Sequence, residues 1–417
     1  MTDAQTFVIV GAALAGASAA KTLRQEGFEG RVVLVGAEAH RPYIRPPLSK
    51  DFLRGEAGLD DVFVEKPEWY ADHDVELRTG VTALGVDPVD HLVALDSGEE
   101  LHYAKLLLAT GSRPRRLAVE GAGLSGVHVL RTLGDSEALR EALTGGGRRV
   151  VTIGAGWIGL EVAATAKTLG NEVVVLDRGA VPLASALGAE VGQVFAQLHA
   201  DNGVQLRGGA VVDHLVGDAS RVTGVALPSG EVIAADVVVA GLGAEPNLAL
   251  AESAGLALEN GVAVDAALRS SDPDIVAAGD IANALHPLVN LRLRSEHWAN
   301  ALNGGAAAAR SMLGQPVSYD DIPYFYTDQF DLGMEYSGFG PLARDARVVF
   351  RGDVAGREFL AFWLNGDRVV AGMNVNVWDV NETVQAIIRH GAAVDAAALA
   401  DPDVPLESFA GGEGEDA

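Results

Sequence analysis

Two glycine-rich turns carry the chemistry that can be read most directly from this chain. The first is Gly11-Ala12-Ala13-Leu14-Ala15-Gly16 and the second is Gly154-Ala155-Gly156-Trp157-Ile158-Gly159. In a turn of this spacing the first glycine permits a tight bend. The second lets backbone approach a pyrophosphate, and the third lets helix and strand pack closely. The helix that follows presents its unpaired N–H groups to the phosphates. The second copy is intact, whereas the first has Ala13 where the second glycine belongs, so a methyl group weakens that contact without abolishing it. The binding residues are Gly11, Ala13, Leu14, Ala15 and Gly16 in the first turn, and Gly154, Gly156, Trp157, Ile158 and Gly159 in the second. Two such turns suggest two nucleotides on one chain, and so a hydride handed from one cofactor to another.

Ribose recognition falls at the end of the second strand of each unit. Glu38 is the acid available there in the first unit and Asp177 in the second. A carboxylate accepts from the ribose hydroxyls and repels a 2′-phosphate, while the neighbouring Arg178 could do the reverse. NADH is therefore favoured over NADPH. The chain contains no cysteine. That removes a redox-active disulfide, a thiolate zinc site and a cysteine-ligated iron–sulfur cluster, and with them the disulfide-reductase mechanism.

These turns need strands and helices to hold them. Phe7 to Val10, the alanine-rich segment to Lys21, and Arg31 to Val35 predict strand, helix, strand. The pattern recurs in Val150 to Ile153, a helix to about Leu169, and Val173 to Leu176. Two further apolar runs end in glycine, at Gly111 and at Gly241. From about Tyr319 aromatics cluster and alternating strands follow, with a hairpin expected at Asn365-Gly366 and a helix from about Asn381 to His390. Residues 411–417 read as a disordered tail. The formal charge of −26 argues against a nucleic-acid or anionic-membrane surface. No run approaches eighteen apolar residues and the first residues lack the pattern of a signal peptide, so the expected location is cytoplasmic.

With these residues in place the chain resembles the FAD-dependent ferredoxin reductases of bacterial oxygenase systems. Putidaredoxin reductase, rubredoxin reductase and biphenyl-dioxygenase ferredoxin reductase are of that type, and apoptosis-inducing factor is a distant relative. The resemblance rests on Arg45-Pro46-Pro47-Leu48-Ser49-Lys50, Ala109-Thr110-Gly111-Ser112-Arg113-Pro114 and the second turn with Glu161. It rests also on Gly241-Leu242-Gly243-Ala244-Glu245-Pro246-Asn247, Ala277-Ala278-Gly279-Asp280 and Glu296-His297-Trp298. It implies an α/β fold with two Rossmann-like nucleotide-binding domains, glutathione-reductase-like, plus an α+β C-terminal domain. FAD would sit on 1–114 and 246–322, interrupted by an NAD domain at 115–245, with a C-terminal interface domain at 323–410.

The resemblance also assigns roles. Asp280 would hydrogen-bond the flavin ribityl chain, with a helix N-cap as the alternative. Lys50 would stand beside flavin N5 with Glu161 as its partner; the alternative is a structural ion pair. Arg45, Pro46, Ala109, Thr110, Gly111, Arg131, Glu296, His297, Trp298 and Tyr326 would join the FAD site. His297 is read as a packed histidine rather than a catalyst. Gly241, Leu242 and Gly243 would complete the NAD site. Arg292, Arg294 and Arg310 are candidates for docking an acidic [2Fe–2S] ferredoxin, or else ordinary surface arginines. The implied activity is NADH-dependent reduction of a ferredoxin that feeds a monooxygenase or ring-hydroxylating dioxygenase. Rubredoxin reduction, or an NADH-sensing flavoprotein like apoptosis-inducing factor, is the alternative. A monomer or homodimer is expected.

Overall fold

The computed structural model describes residues 5–218 and 220–411, so the tail expected at 411–417 lies, apart from Gly411, outside the described residues. The chain divides into two compact units. One comprises Met1–Arg45, Gly58–Arg113 and Ala244–Pro323; the other comprises Pro46–Ala57, Pro114–Gly243 and Tyr324–Ala417.

The first unit is built on a five-stranded parallel sheet. Its order is Ile275–Ala277, Lys105–Leu108, Thr6–Val10, Arg31–Gly36, Val75–Thr79. Continuous apolar runs suit strands covered on both faces, and Val8, Ile9, Val32, Val33, Leu34, Leu106, Leu107 and Leu108 are all fully buried. The helix Leu14–Gln25 follows the first strand through the glycine turn. The helix Trp298–Met312 packs along it through small residues, with Gly304, Gly305, Ala308 and Ala309 buried. A Cβ at Gly305 would stand 2.3 Å from the Ala15 carbonyl oxygen, so no larger residue permits this approach. Ser18 Oγ donates to the Leu302 carbonyl at 2.6 Å, and further along Arg310 Nε meets Glu26 at 2.9 Å. From Ser18–Leu302 to Glu26–Arg310 the hydrogen bonds advance in the same direction along both helices. The pair is therefore near parallel, and both N-termini open at the same end.

The second unit repeats the plan. Its parallel sheet has the order Gln205–Gly208, Glu172–Asp177, Arg149–Ile153, Val237–Ala240, Val127–His128. The helix Trp157–Thr168 leaves the second glycine turn. A five-stranded antiparallel sheet follows in the order Tyr324–Gln329, Leu332–Gly338, Arg368–Val375, Glu358–Asn365, Arg347–Asp353. Its expected hairpin closes with Asn365 paired to Arg368 and Gly366 at φ +66°. The helix Asn381–His390 completes the α+β portion. The α/β class and the two Rossmann-like sheets are those expected.

One segment goes elsewhere than its position in sequence suggests. Pro46–Ala57 follows the first nucleotide unit but clusters with the second. Its apolar side and its carbonyls explain why. Leu53 is fully buried in one core cluster with Leu139 and Val237, Ser136 Oγ donates to the Leu48 carbonyl at 2.7 Å, and Thr165 Oγ1 donates to the Ser49 carbonyl at 2.8 Å. Among the described residues, no helix is long and apolar enough to cross a membrane.

Candidate functional site

In the first unit the turn at Gly11 can only be glycine. Its φ is +120°, and a Cβ there would lie 2.0 Å from the Ala109 carbonyl oxygen. A Cβ at Gly16 would lie 2.0 Å from the Gly11 carbonyl oxygen. Ala13 occupies the N-cap of the helix Leu14–Gln25 without a side-chain cap, and the first turn carries no acid. Its N–H groups are thus left for an anion. At the strand end, Tyr43 donates to Glu38 Oε2 at 2.5 Å, and Arg45 Nη2 stands 3.7 Å from Glu38 Oε1. Glu38 and Arg45 form one polar cluster.

Asp280 is buried in a short 3-10 turn at Gly279–Ile281. It accepts from Ser112 Oγ at 2.7 Å, which ties it to the strand end after Gly111. That strand end is stitched in turn by Asn247, whose Nδ2 donates to the Thr110 carbonyl at 2.8 Å while Thr110 Oγ1 donates to the Asn247 carbonyl at 3.0 Å. His297 is the N-cap residue of the helix Trp298–Met312, again with no side-chain cap and no acid in the first turn. Burial pushes the His297 imidazole down to about 4, with the Asp280 carboxylate opposing that shift in part. Arg294 Nε and Ser295 Oγ are buried and meet no hydrogen-bond partner among the described residues. Two uncapped helix N-termini opening together, a buried carboxylate and orphaned polar atoms fit a dinucleotide with a polar ring system.

The three candidate docking arginines are each engaged by acceptors of the first unit. Arg292 Nη1 donates to the carbonyls of Val264 and Asn283 at 2.8 and 3.0 Å, and its Nε meets Glu259 at 3.2 Å. Arg294 is mostly buried, donating to the Asp280 carbonyl at 3.2 Å and pairing with Glu296 at 2.5 Å. Arg310 sits on Glu26, about 18 Å down the helix axis from Trp298 at 1.5 Å per residue. These acceptors, backbone carbonyls among them, have no sequence signature.

In the second unit Gly154 has φ +103°, and its Cβ would lie 2.2 Å from the Gly241 carbonyl oxygen. Gly156 differs: a Cβ there meets nothing within 4 Å. That is open space in front of an uncapped helix N-terminus, where a pyrophosphate would approach. Gly241 lies against Gly159, its Cβ position 3.2 Å from the Gly159 Cα, and Gly243 has φ +81° with open space before it. Asp177 clamps the turn. Its Oδ2 accepts from the Ala155 N–H and its Oδ1 from the Gly179 N–H, both at 2.6 Å. Arg178 beside it is exposed. Trp157 turns inward, its ring edge-on to Phe325 at 4.8 Å and Phe195 at 5.8 Å, whereas Ile158 is exposed. Arg131 lies before the helix Leu133–Leu143, its N–H donating to Asp135 at 3.1 Å.

The same unit brings Lys50 and Glu161 together. Lys50 Nζ is 3.3 Å from Glu161 Oε1, both side chains are nearly buried, and the Tyr326 ring centre lies 5.2 Å from the ammonium. Glu161 also accepts from Ser49 Oγ and, at 2.6 Å, from Thr327 Oγ1. Ser49 and Thr327 escape a sequence reading although each adjoins a residue that it finds. Burial raises the Tyr326 hydroxyl above its ordinary range, and the charge of Asp328 adds to the shift.

Comparison with known proteins adds the family. Residues 5–305 match the model for pyridine nucleotide-disulphide oxidoreductases, and residues 324–410 match a reductase C-terminal model. The chain is 39% identical over 98% of its length to the ferredoxin–NAD(+) reductase component of the anthranilate 1,2-dioxygenase system of Burkholderia cepacia, covering 100% of that protein. It belongs to the FAD-dependent ferredoxin reductase family. To putidaredoxin reductase of Pseudomonas putida this family member is 36% identical, covering 96% of each chain. It superposes on the covalent putidaredoxin reductase–putidaredoxin complex with a TM-score of 0.93, at 36% identity, covering 97% of this chain and 98% of that one. The family binds FAD and a nicotinamide nucleotide. The sequence contains no cysteine, so it carries no redox-active disulfide of its own.

Proposed function

We propose that this chain is an NADH-dependent ferredoxin reductase of an oxygenase system, acting in the cytoplasm. The observation that carries the reading is the pairing of two uncapped glycine turns with a buried Lys50–Glu161 pair in a chain without thiols. Bound FAD supplies the conversion of a two-electron donor into single electrons for a [2Fe–2S] ferredoxin.

Everything else is done by side chains and backbone. The N–H groups at Ala13 to Gly16 hold the FAD pyrophosphate, Glu38 accepts from its ribose, and Asp280, steadied by Ser112, accepts from the ribityl chain. The parallel dipoles of the helices Leu14–Gln25 and Trp298–Met312 favour negative charge at their shared end. In the second unit Gly156 lets the NADH pyrophosphate approach, and Asp177 both clamps the turn and accepts from the ribose. Lys50 supplies a fixed positive charge to the redox centre, oriented by Glu161 and shielded from water by Tyr326. Neither residue has to move a proton, because hydride transfer requires position and electrostatics.

Anaerobic stopped-flow mixing with NADH, followed by cytochrome c reduction through a panel of ferredoxins, tests the reading. Rapid bleaching and ferredoxin-dependent cytochrome c reduction are expected. A long-lived reduced complex that no ferredoxin oxidises would overturn it in favour of a sensor.

A further inference from the structure

The hydrogen bonds around Glu161 do not stop at Thr327. Gln329 Nε2 donates to Thr327 Oγ1 at 3.2 Å, and His199 Nε2 lies 2.8 Å from Gln329 Oε1. Thr327, Gln329 and His199 are 1%, 1% and 0% exposed, and the Phe330 ring meets the imidazole edge-on at 5.3 Å. No established step of hydride transfer calls for a histidine at this depth.

The direction of this chain follows from counting hydrogens. As the anionic half of its pair with Lys50, Glu161 only accepts. Thr327 has one hydroxyl hydrogen and gives it to Glu161, so toward Gln329 it can only accept. Gln329 must then present its amide NH2 to Thr327 and its carbonyl to His199. That carbonyl requires a hydrogen on His199 Nε2, whichever way the amide was first placed. His199 Nδ1 is buried and has no hydrogen-bond partner among the described residues, as befits an unprotonated nitrogen. Burial lowers the His199 pKa and so favours the neutral ring.

We propose that His199, Gln329 and Thr327 form a one-way positioning relay that fixes the Glu161 carboxylate and, through it, the Lys50 ammonium. The relay rests on the reading of Lys50 and Glu161 as part of the redox centre. Oε1 of Glu161 takes both Thr327 and Lys50, while Oε2 takes Ser49. The carboxylate cannot rotate without breaking one of these. Releasing the far end of the relay frees the Thr327 hydroxyl to turn, and the ammonium then loses its fixed place. All three relay residues are buried and act through Glu161, so each is a positioning residue.

Three variants and one spectrum test this. His199→Leu should lower the rate of flavin reduction by NADH about tenfold and shift the flavin midpoint potential, with the KM for NADH unchanged. His199→Gln, whose amide can again donate to Gln329, should restore both. Thr327→Val should do at least as much harm as His199→Leu. Nitrogen-15 NMR of the wild-type flavoprotein should find His199 neutral with its hydrogen on Nε2. A hydrogen on Nδ1 overturns the relay whether or not the variants fold. So does a folded His199→Leu protein with wild-type rate and potential, or equal impairment of the Leu and Gln variants. A wild-type protein that NADH fails to reduce removes the functional reading and the relay's role together. Wild-type reduction with silent variants removes the relay alone.

Discussion

The Lys50 ammonium lies over the ring of Tyr326, 5.2 Å from its centre, and 3.3 Å from Glu161 Oε1. A cation in contact with both a carboxylate and an aromatic face has little freedom to wander. The charge is fixed by two contacts of different kinds, one ionic and one with the ring quadrupole.

Lys50→Met leaves Glu161 buried without its cation. It should destabilise the fold by about 3–5 kcal/mol, the usual cost of breaking a buried pair. Because Ser49 and Thr327 still donate to Glu161, the lower end is expected. The double variant Lys50→Met with Glu161→Gln should regain most of that stability and still turn over ferricyanide poorly. Urea denaturation and NADH–ferricyanide kinetics on the same three proteins separate the two effects.

Two glycines of the second turn should respond differently to alanine. Gly154→Ala forces a methyl against the Gly241 carbonyl at positive φ and should cost upwards of about 3 kcal/mol. Gly156→Ala meets open space, so the fold should lose well under about 1 kcal/mol while the KM for NADH rises roughly tenfold. Melting curves and steady-state kinetics should show the two losses falling on different quantities.

Asp177→Ala orphans the Ala155 and Gly179 N–H groups and removes a negative charge near the ribose. Efficiency with NADH should fall about 10-fold or more. Efficiency with NADPH should fall less, since the exposed Arg178 then faces a 2′-phosphate unopposed. The ratio of kcat/KM for the two nucleotides is the measurement.

His297 makes stability depend on pH in a stated direction. The fold holds the imidazole neutral, down to about 4 from the ordinary 6.5. Between those values the unfolded chain binds a proton that the folded chain does not. Stability is therefore fully present above pH 6.5 and lost as pH falls toward 4, by up to roughly 3 kcal/mol at about 1.4 kcal/mol per unit. Thermal melts from pH 7.5 to 4.5 should show a shallower decline for His297→Gln than for the native protein.

Local pattern carried most of the fold. The strands around both glycine turns and the helix Asn381–His390 lie where the sequence pattern puts them. Lys50, Glu161 and Asp280 were legible through motifs with several ordered parts. Their neighbours were not. Ser112 reaches Asp280, and Thr327 reaches Glu161, across well over a hundred residues of chain, and nothing local marks a hydroxyl as a donor to a distant carboxylate. The arginines also have contacts that the sequence does not announce. A basic residue near a motif looks available for a partner, but Arg292 and Arg294 donate to backbone carbonyls that every residue possesses.

The strand Ile275–Ala277 at the edge of the first parallel sheet, and the helix Trp298–Met312 packed on Leu14–Gln25, have a consequence for biosynthesis. A ribosome releases the turn at Gly11 long before it releases the segments that complete its surroundings. The parallel sheet of the second unit draws only on residues between Val127 and Ala240, so its strands emerge together. An N-terminal fragment ending near Ala240 should therefore expose the apolar edge of Lys105–Leu108, which is the vulnerable moment for aggregation during synthesis. The last part of the first unit to be translated is the part that seals it.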